Sequence, residues 1–332
     1  TIKIVMAGQF FTRTKVQPAR EREHLLTPLE NKHIGDFEVT AIPVDHSVPG
    51  AVAFLIGNGR KKILYSGDLR LHGPHRKTMW ETFLQEKFRY PDALILEGTL
   101  LGDKDRTPAC EADLSKEFES LFRQSEKMVL TMFSPQNVDR LHSIREATRS
   151  SGRMLILDPY SLFVLYTLKT ELSRFNPFAA GSDHLRVWFP AQSKQKKIGI
   201  FNHCETEVEH LEIRESEFLS DPDRYVLVFR QWMTEETPKI LDVSDCAIWS
   251  YWSGYEATDR VRSLRSILQQ NGIQWYRIHA SGHILPNDLL DFVAMISPKR
   301  LLPIHTTEAD RFESFFARQS VRRLYDGEPY EL

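Results

Sequence analysis

Lys61-Lys62-Ile63-Leu64-Tyr65-Ser66-Gly67-Asp68 is a short apolar run that ends on a carboxylate. Its centre reads as a buried strand, and Asp68 follows a glycine at the strand end. Three other stretches repeat the pattern. Residues 37–44 run into Asp45-His46, residues 92–96 into Glu97-Gly98-Thr99, and residues 300–304 into His305. A charge at the tip of a buried strand is costly unless water, a partner or a metal meets it. Four such tips predict one shared rim, and two histidines with two carboxylates on a rim suggest a metal site.

Working outward, the first hundred residues read as strand-rich. Strands are expected at 3–6, 37–44, 52–56, 61–65 and 92–96, with Gly57-Asn58-Gly59 as a turn between two of them. Thr107-Pro108 is a helix start. From there helices and strands alternate: helices at 111–125, from Ser134-Pro135 to 149, at 161–172 and at 259–268, and strands at 128–133, 154–157, 225–229 and 247–250. This rhythm predicts a parallel, doubly wound sheet. Residues 175–223 carry no assignable pattern. After Gly272 a strand at 274–279, a helix at 286–296, a strand at 300–304, a helix at 308–318 and a short strand at 321–325 are expected. The simplest organisation is one strand-rich domain, residues 1–105 and 271–332, interrupted by an inserted α/β domain, residues 106–270.

The chain has 332 residues, enough for two domains. Hydrophobic content of 41% and charged content of 27% are those of a soluble globular protein. No apolar run approaches the roughly 18 residues of a membrane span, so no membrane association is expected. The first eleven residues do not have the make-up of a signal peptide. Cys110, Cys204 and Cys246 form no CxxC pair, which argues against a thiolate zinc site and for free thiols in a reducing cytoplasm. A net charge of −2 gives no global field for nucleic acid. Local basic segments occur at Arg60-Lys61-Lys62, at Arg70, His72, His75, Arg76 and Lys77, and at Lys194-Gln195-Lys196-Lys197. Each reads singly as a solvated face, with a phosphate track as the alternative.

Taken one at a time, the rim residues have ordinary explanations. His46 precedes a turn forced by Pro49-Gly50, Asp68 suits a turn or cap, and His305 suits a cap before the next helix. Taken together they match chemistry. An aspartate can bridge two cations, and neutral imidazoles suit zinc.

His46-Ser47-Val48-Pro49-Gly50-Ala51 and Leu64-Tyr65-Ser66-Gly67-Asp68 resemble the third and fourth metal motifs of the metallo-β-lactamase superfamily. Leu96-Glu97-Gly98-Thr99, Ala280-Ser281-Gly282-His283 and Leu302-Pro303-Ile304-His305 resemble motifs A, B and C of its β-CASP branch, the nucleic-acid-processing hydrolases that include ribonuclease J. Residues 133–140 resemble the start of a helix in the inserted domain of ribonuclease J. The resemblance spans nearly all of the chain and is weakest at 175–223. It implies an αββα sandwich, N-terminally incomplete, with an inserted β-CASP domain. It implies a zinc-dependent phosphodiester hydrolase acting on single-stranded RNA, with DNA as the other candidate, in the cytoplasm, or in the nucleus of a eukaryote. His305 favours RNA, because DNA-repair members of the branch tend to carry Val there.

The resemblance also assigns roles. His46 is a terminal ligand of one metal, Asp68 bridges two, and His305 is a terminal ligand of the second. His283 touches the scissile phosphate and protonates the leaving oxygen, and Glu97 orients His283. Ser281 and Gly282 hold a phosphate oxygen. Glu97 as a buried salt-bridge acid and Ser281-Gly282 as a mere turn are the bland alternatives. Trp252, in an aromatic loop, either stacks on a base or packs between domains.

One departure stands out. The family signature His-x-His-x-Asp-His occurs nowhere in the sequence. His46, Asp68 and His305 alone are too few for two zinc ions. The expectation is that this polypeptide by itself is inactive or nearly so, its two-zinc site incomplete or empty. A non-catalytic nucleic-acid-binding relative is the alternative, as is a DNA-processing nuclease. His305-Thr306 departs further, since many relatives place Gly after that histidine.

Overall fold

The computed structural model describes residues 25–102, 110–169, 184–190 and 205–332. Its strands are, in chain order, β1 Asn31–Ile34, β2 Phe37–Pro43, β3 Val52–Gly57, β4 Lys62–Tyr65, β5 Ala93–Glu97, β6 Met128–Met132, β7 Met154–Leu157, β8 Leu185–Val187, β9 Tyr225–Val228, β10 Ser244–Trp249, β11 Gln274–Arg277 and β12 Leu301–Ile304. Among the described residues they form two sheets, ordered β1-β2-β3-β4-β5-β12 and β11-β10-β6-β9-β7-β8. Each belongs to its own compact unit. The first unit comprises the described part of Gln17–Cys110 with Ser281–Leu332, and the second that of Glu111–Ala280.

In the first unit β1 to β4 form an antiparallel meander, and β5 and β12 run parallel to β4. The β3–β4 turn falls at Gly57-Asn58-Gly59 as its composition predicts. Gly59 has φ +79°, and the Asn58 side chain accepts from the amides of Arg60 and Lys61. Period-2 alternation sends Leu64, Leu94 and Leu301, which face one another in register, to one side of the sheet. There they pack with Met79 and Phe83 of the helix Arg76–Phe83, with Leu289, Phe292 and Val293 of the helix Pro286–Ile296, and with Phe312. Each such side chain contributes about 1.5–3 kcal/mol on burial. The other face carries Phe54, Ile56, Ile63, Tyr65 and Ile95, all only partly buried. Among the described residues this unit has one sheet.

Because β4, β5 and β12 are parallel, their C-terminal ends share one rim. Their N-terminal ends are clamped by Asp92. Its carboxylate accepts from Lys299 Nζ at 2.8 Å and from the Lys62 amide at 2.9 Å, with Lys61 Nζ at 3.6 Å. The hydrogen bond from Lys299, then that from Lys62, holds the carboxyl down at about 2.

The second sheet is parallel throughout. From β6 the chain builds outward to β7 and β8, returns to β9, then crosses to β10 and β11. That is the doubly wound course expected from the alternating pattern. Every residue of β6 and β9 is buried, as a sheet covered on both faces requires. The helix Val138–Ser150 is capped by Asn137, and Pro159–Thr167 by Asp158. Arg140 is fully buried and makes a bidentate pair with Glu111 at 3.0 Å on both arms. It also donates to the carbonyls of Ser250 and Ala280, each at 3.1 Å. One guanidinium therefore ties together the two ends of the segment Glu111–Ala280.

Several local expectations need correction. The strand at 274–279 is β11 and pairs with β10, so the second unit continues to Ala280 rather than closing at 270. The last strand, at 321–325, is only a bridge between Leu301 and Val321, and the helix at 308–318 shortens to Arg311–Phe315. Arg70 is no solvated cation. It is fully buried, with Nε 2.7 Å from Asp45 Oδ1. The strand at 3–6, the basic run Lys194–Lys197 and, within 175–223, residues 175–183 and 191–204 lie outside the described residues.

Asp92 yields a pH-dependent prediction. Its folded pKa is depressed, so its stabilisation is present above its ordinary value of 3.8 and is lost as pH falls towards about 2. Asp92→Asn is expected to lower Tm by a few degrees at neutral pH. The gap between variant and parent should shrink steadily between about pH 4 and about pH 2, followed by circular dichroism.

Candidate metal centre

The rim is built by sharp backbone turns at the strand ends. Gly67 has φ +57°, and a Cβ there would lie 2.5 Å from the Val52 carbonyl oxygen, so only glycine lets the chain turn Asp68 outward. A Cβ at Gly98 would lie 2.4 Å from the Phe312 ring, so the chain leaving β5 also needs a glycine. His305 itself adopts φ +49°, a left-handed conformation that costs a non-glycine residue energy and is typical of functional positions.

Asp68, Glu97, His283 and His305 converge, each offering a ligand atom within 4.8 Å of the others. Asp68 Oδ1 lies 2.9 Å from His305 Nδ1, with both side chains partly open to solvent. Glu97 is fully buried, and its two oxygens are already engaged. Oε1 accepts from the Leu69 amide at 2.8 Å, and Oε2 from Thr99 Oγ1 at 2.8 Å and His283 Nδ1 at 2.9 Å. A carboxylate so occupied serves to orient its neighbours rather than to bind a cation. The Thr99 hydroxyl oxygen also lies 3.0 Å from the His305 carbonyl and 3.2 Å from His305 Nδ1.

His46 stands beside this group rather than in it. Its ring centroid is 5.1 Å from that of His283, which is 5.4 Å from that of His305. His46 Nδ1 donates to the Gly282 carbonyl at 2.6 Å, which leaves the lone pair on Nε2, with Ser47 Oγ 3.4 Å away. Burial, assisted by the charge of His283, holds His46 below its ordinary value, so its ring favours the neutral, ligating form. Burial also pulls His283 down, but the Glu97 hydrogen bond and the charges of Glu97 and Asp68 outweigh it, and the net shift is upward.

Ser281 Oγ accepts from the His283 amide at 3.1 Å. The four segments that supply Asp45-His46, Asp68, Glu97 and His305 thus meet as the strand-tip pattern predicts, and Ser281-Gly282-His283 joins them. Trp252 lies in the second unit, half exposed, edge-on to the equally exposed Tyr255 at 5.5 Å between ring centroids. Sequence reasoning gave no role to Thr99. Its position two residues beyond a strand-end acid was the available signal.

No protein-family model matches this sequence. The chain is 24% identical to ribonuclease J of Mycolicibacterium smegmatis over a 340-residue alignment, which covers 92% of this chain and 54% of that protein. The chain spans about half the length of the curated relative it matches. A solved structure of a protein of unknown function from Enterococcus faecalis V583 matches with a TM-score of 0.70 at 24% identity. That match covers 92% of this chain and 66% of the other, and it shows a shared fold.

The clustered donors could hold one divalent cation, with a carboxylate in Asp68, an imidazole in His305 and a buried acid that steadies His283, while His46 lies beside them. Among the described residues they fall short of what two would need.

The Glu97–His283 pair can be tested without a cation. Glu97→Gln removes the carboxylate charge that helps to raise His283 and leaves both the burial that lowers it and the smaller upward pull of Asp68. In metal-free protein followed by NMR, His283 is expected to titrate above its ordinary value in the parent and at a lower pH in the variant than in the parent. An unchanged titration would contradict the pairing.

Proposed function

We propose that this chain carries part of a zinc-dependent phosphodiester hydrolase of the β-CASP branch, acting on single-stranded RNA. The convergence of Asp68, Glu97, His283 and His305 from separate segments of the first unit carries the reading, and the similarity to a ribonuclease J supports it. On this reading the first unit is the metallo-β-lactamase part and the second the inserted β-CASP domain.

A bound divalent cation supplies Lewis acidity and an acidified water. Asp68, His305 and His46 would hold it. The chain's own residues would do the rest. Glu97 keeps the proton on His283 Nδ1 and so directs Nε2 towards the substrate. A protonated His283, favoured by its raised pKa, can deliver a proton to the departing oxygen. Ser281 and Gly282 bind a non-bridging phosphate oxygen. Trp252 offers an exposed ring to a base.

With an incomplete ligand set, this chain alone is expected to bind zinc and RNA while turning over little substrate. Metal analysis after dialysis should find fewer than two zinc equivalents per chain, falling at least tenfold in Asp68→Ala and His305→Ala. Fluorescence anisotropy should show tighter binding of a single-stranded oligoribonucleotide than of the matching deoxyribonucleotide. Trp252→Ala should weaken RNA binding by about fivefold or more, the loss of one stacked base being worth about 1–3 kcal/mol. Zinc binding indifferent to both ligand variants, or no affinity for RNA, would overturn the proposal. Brisk zinc-dependent cleavage would overturn the expectation of inactivity.

A further inference from the structure

We infer that His72 is a positioning residue for the turn Ser281-Gly282-His283, which it holds so that the Gly282 N–H faces outward as a donor to a phosphate oxygen. The inference deepens the proposed function and rests on it. His72 Nε2 lies 2.8 Å from the Ser281 carbonyl oxygen. A carbonyl only accepts, so Nε2 carries the proton. In a neutral imidazole that leaves Nδ1 bare, and Nδ1 is buried without a partner. Burial lowers the His72 pKa, which keeps the ring neutral.

His46 makes the same contact one residue on, donating to the Gly282 carbonyl at 2.6 Å. Two imidazoles therefore hold two successive carbonyls of the turn. The peptide bonds are trans, and in a planar trans peptide the C=O and the next N–H point in opposite directions. Fixing the Ser281 carbonyl against His72 thus turns the Gly282 N–H away from His72. Among the described residues that N–H has no acceptor. The Ser281 hydroxyl accepts from the His283 amide, so its own proton is free to donate elsewhere. Gly282 is also held close. A Cβ there would lie 2.7 Å from Ser47 Oγ and 3.0 Å from His46 Cε1. A fixed N–H and a hydroxyl flanking His283 form a preorganised donor pair for one non-bridging oxygen of a phosphodiester.

The test compares His72→Phe, which keeps a ring but no donor, with His72→Gln, whose amide can still donate to the carbonyl. Hydrogen exchange over Ser281–His283 reads the turn directly, and anisotropy with a short single-stranded oligoribonucleotide reads phosphate binding. In His72→Phe, exchange at the turn should accelerate and RNA affinity fall about tenfold, with zinc affinity unchanged. His72→Gln should restore most of both. A folded His72→Phe with parental exchange and affinity overturns the inference, as does a folded His72→Gln that behaves like His72→Phe. Accelerated exchange with full RNA affinity overturns the donor role. Should His72→Phe fail to fold, the glutamine variant must still match the parent in exchange and affinity, or the inference fails. If the parent binds no RNA, the proposed function falls, while the exchange measurement still decides whether His72 holds the turn.

Discussion

The first unit is organised around one buried carboxylate. Glu97 has no exposed surface, and an ion removed from water costs several kcal/mol unless hydrogen bonds replace its hydration. Three donors do so here, and each belongs to a separate segment. The Leu69 amide fixes the backbone beside Asp68, His283 Nδ1 fixes the ring aimed at substrate, and Thr99 extends the contact to His305. The carboxylate thereby converts three distant stretches of sequence into one arrangement. Any step that loosens Glu97 loosens all of them together.

The topology explains why one residue can do this. Strands β4, β5 and β12 are parallel neighbours, so the residues that leave their C-terminal ends emerge side by side. Glycine at positions 67 and 98 permits the close turns that crowd these residues onto the rim. The opposite end is closed by Asp92 and its lysines. The second unit shows the same economy, with the buried Arg140 joining the two ends of the segment Glu111–Ala280. In both units a single buried charge, fully answered by hydrogen bonds, fixes the ends of the chain segments that matter most.

Much of this was legible in the sequence. Apolar runs ending on Asp68, Glu97 and His305 announced both the strands and the rim, because a charge at a buried strand tip needs an answer. The alternation of helix and strand after residue 110 announced the parallel sheet. What remained hidden has physical causes. The helix Arg76–Phe83 begins in a basic stretch without acidic residues in its first turn, so it looked like a charged surface. Arg70 looked solvated because its partner, Asp45, lies far back in sequence. The segment at 321–325 has a strand-like composition, but it meets the sheet at one bridge only. His72 was one basic residue among several until its contact with the Ser281 carbonyl set it apart.

Asp68 and His305, with His46 alongside, are the proposed cation site. X-ray absorption at the zinc edge of the zinc-titrated chain tests it most directly. A zinc ion held there should show a shell of nitrogen and oxygen at about 2.0–2.2 Å with the outer scattering of imidazole, lost when His305 is replaced by alanine. A sulfur shell at about 2.3 Å, or an oxygen shell without imidazole, would contradict it.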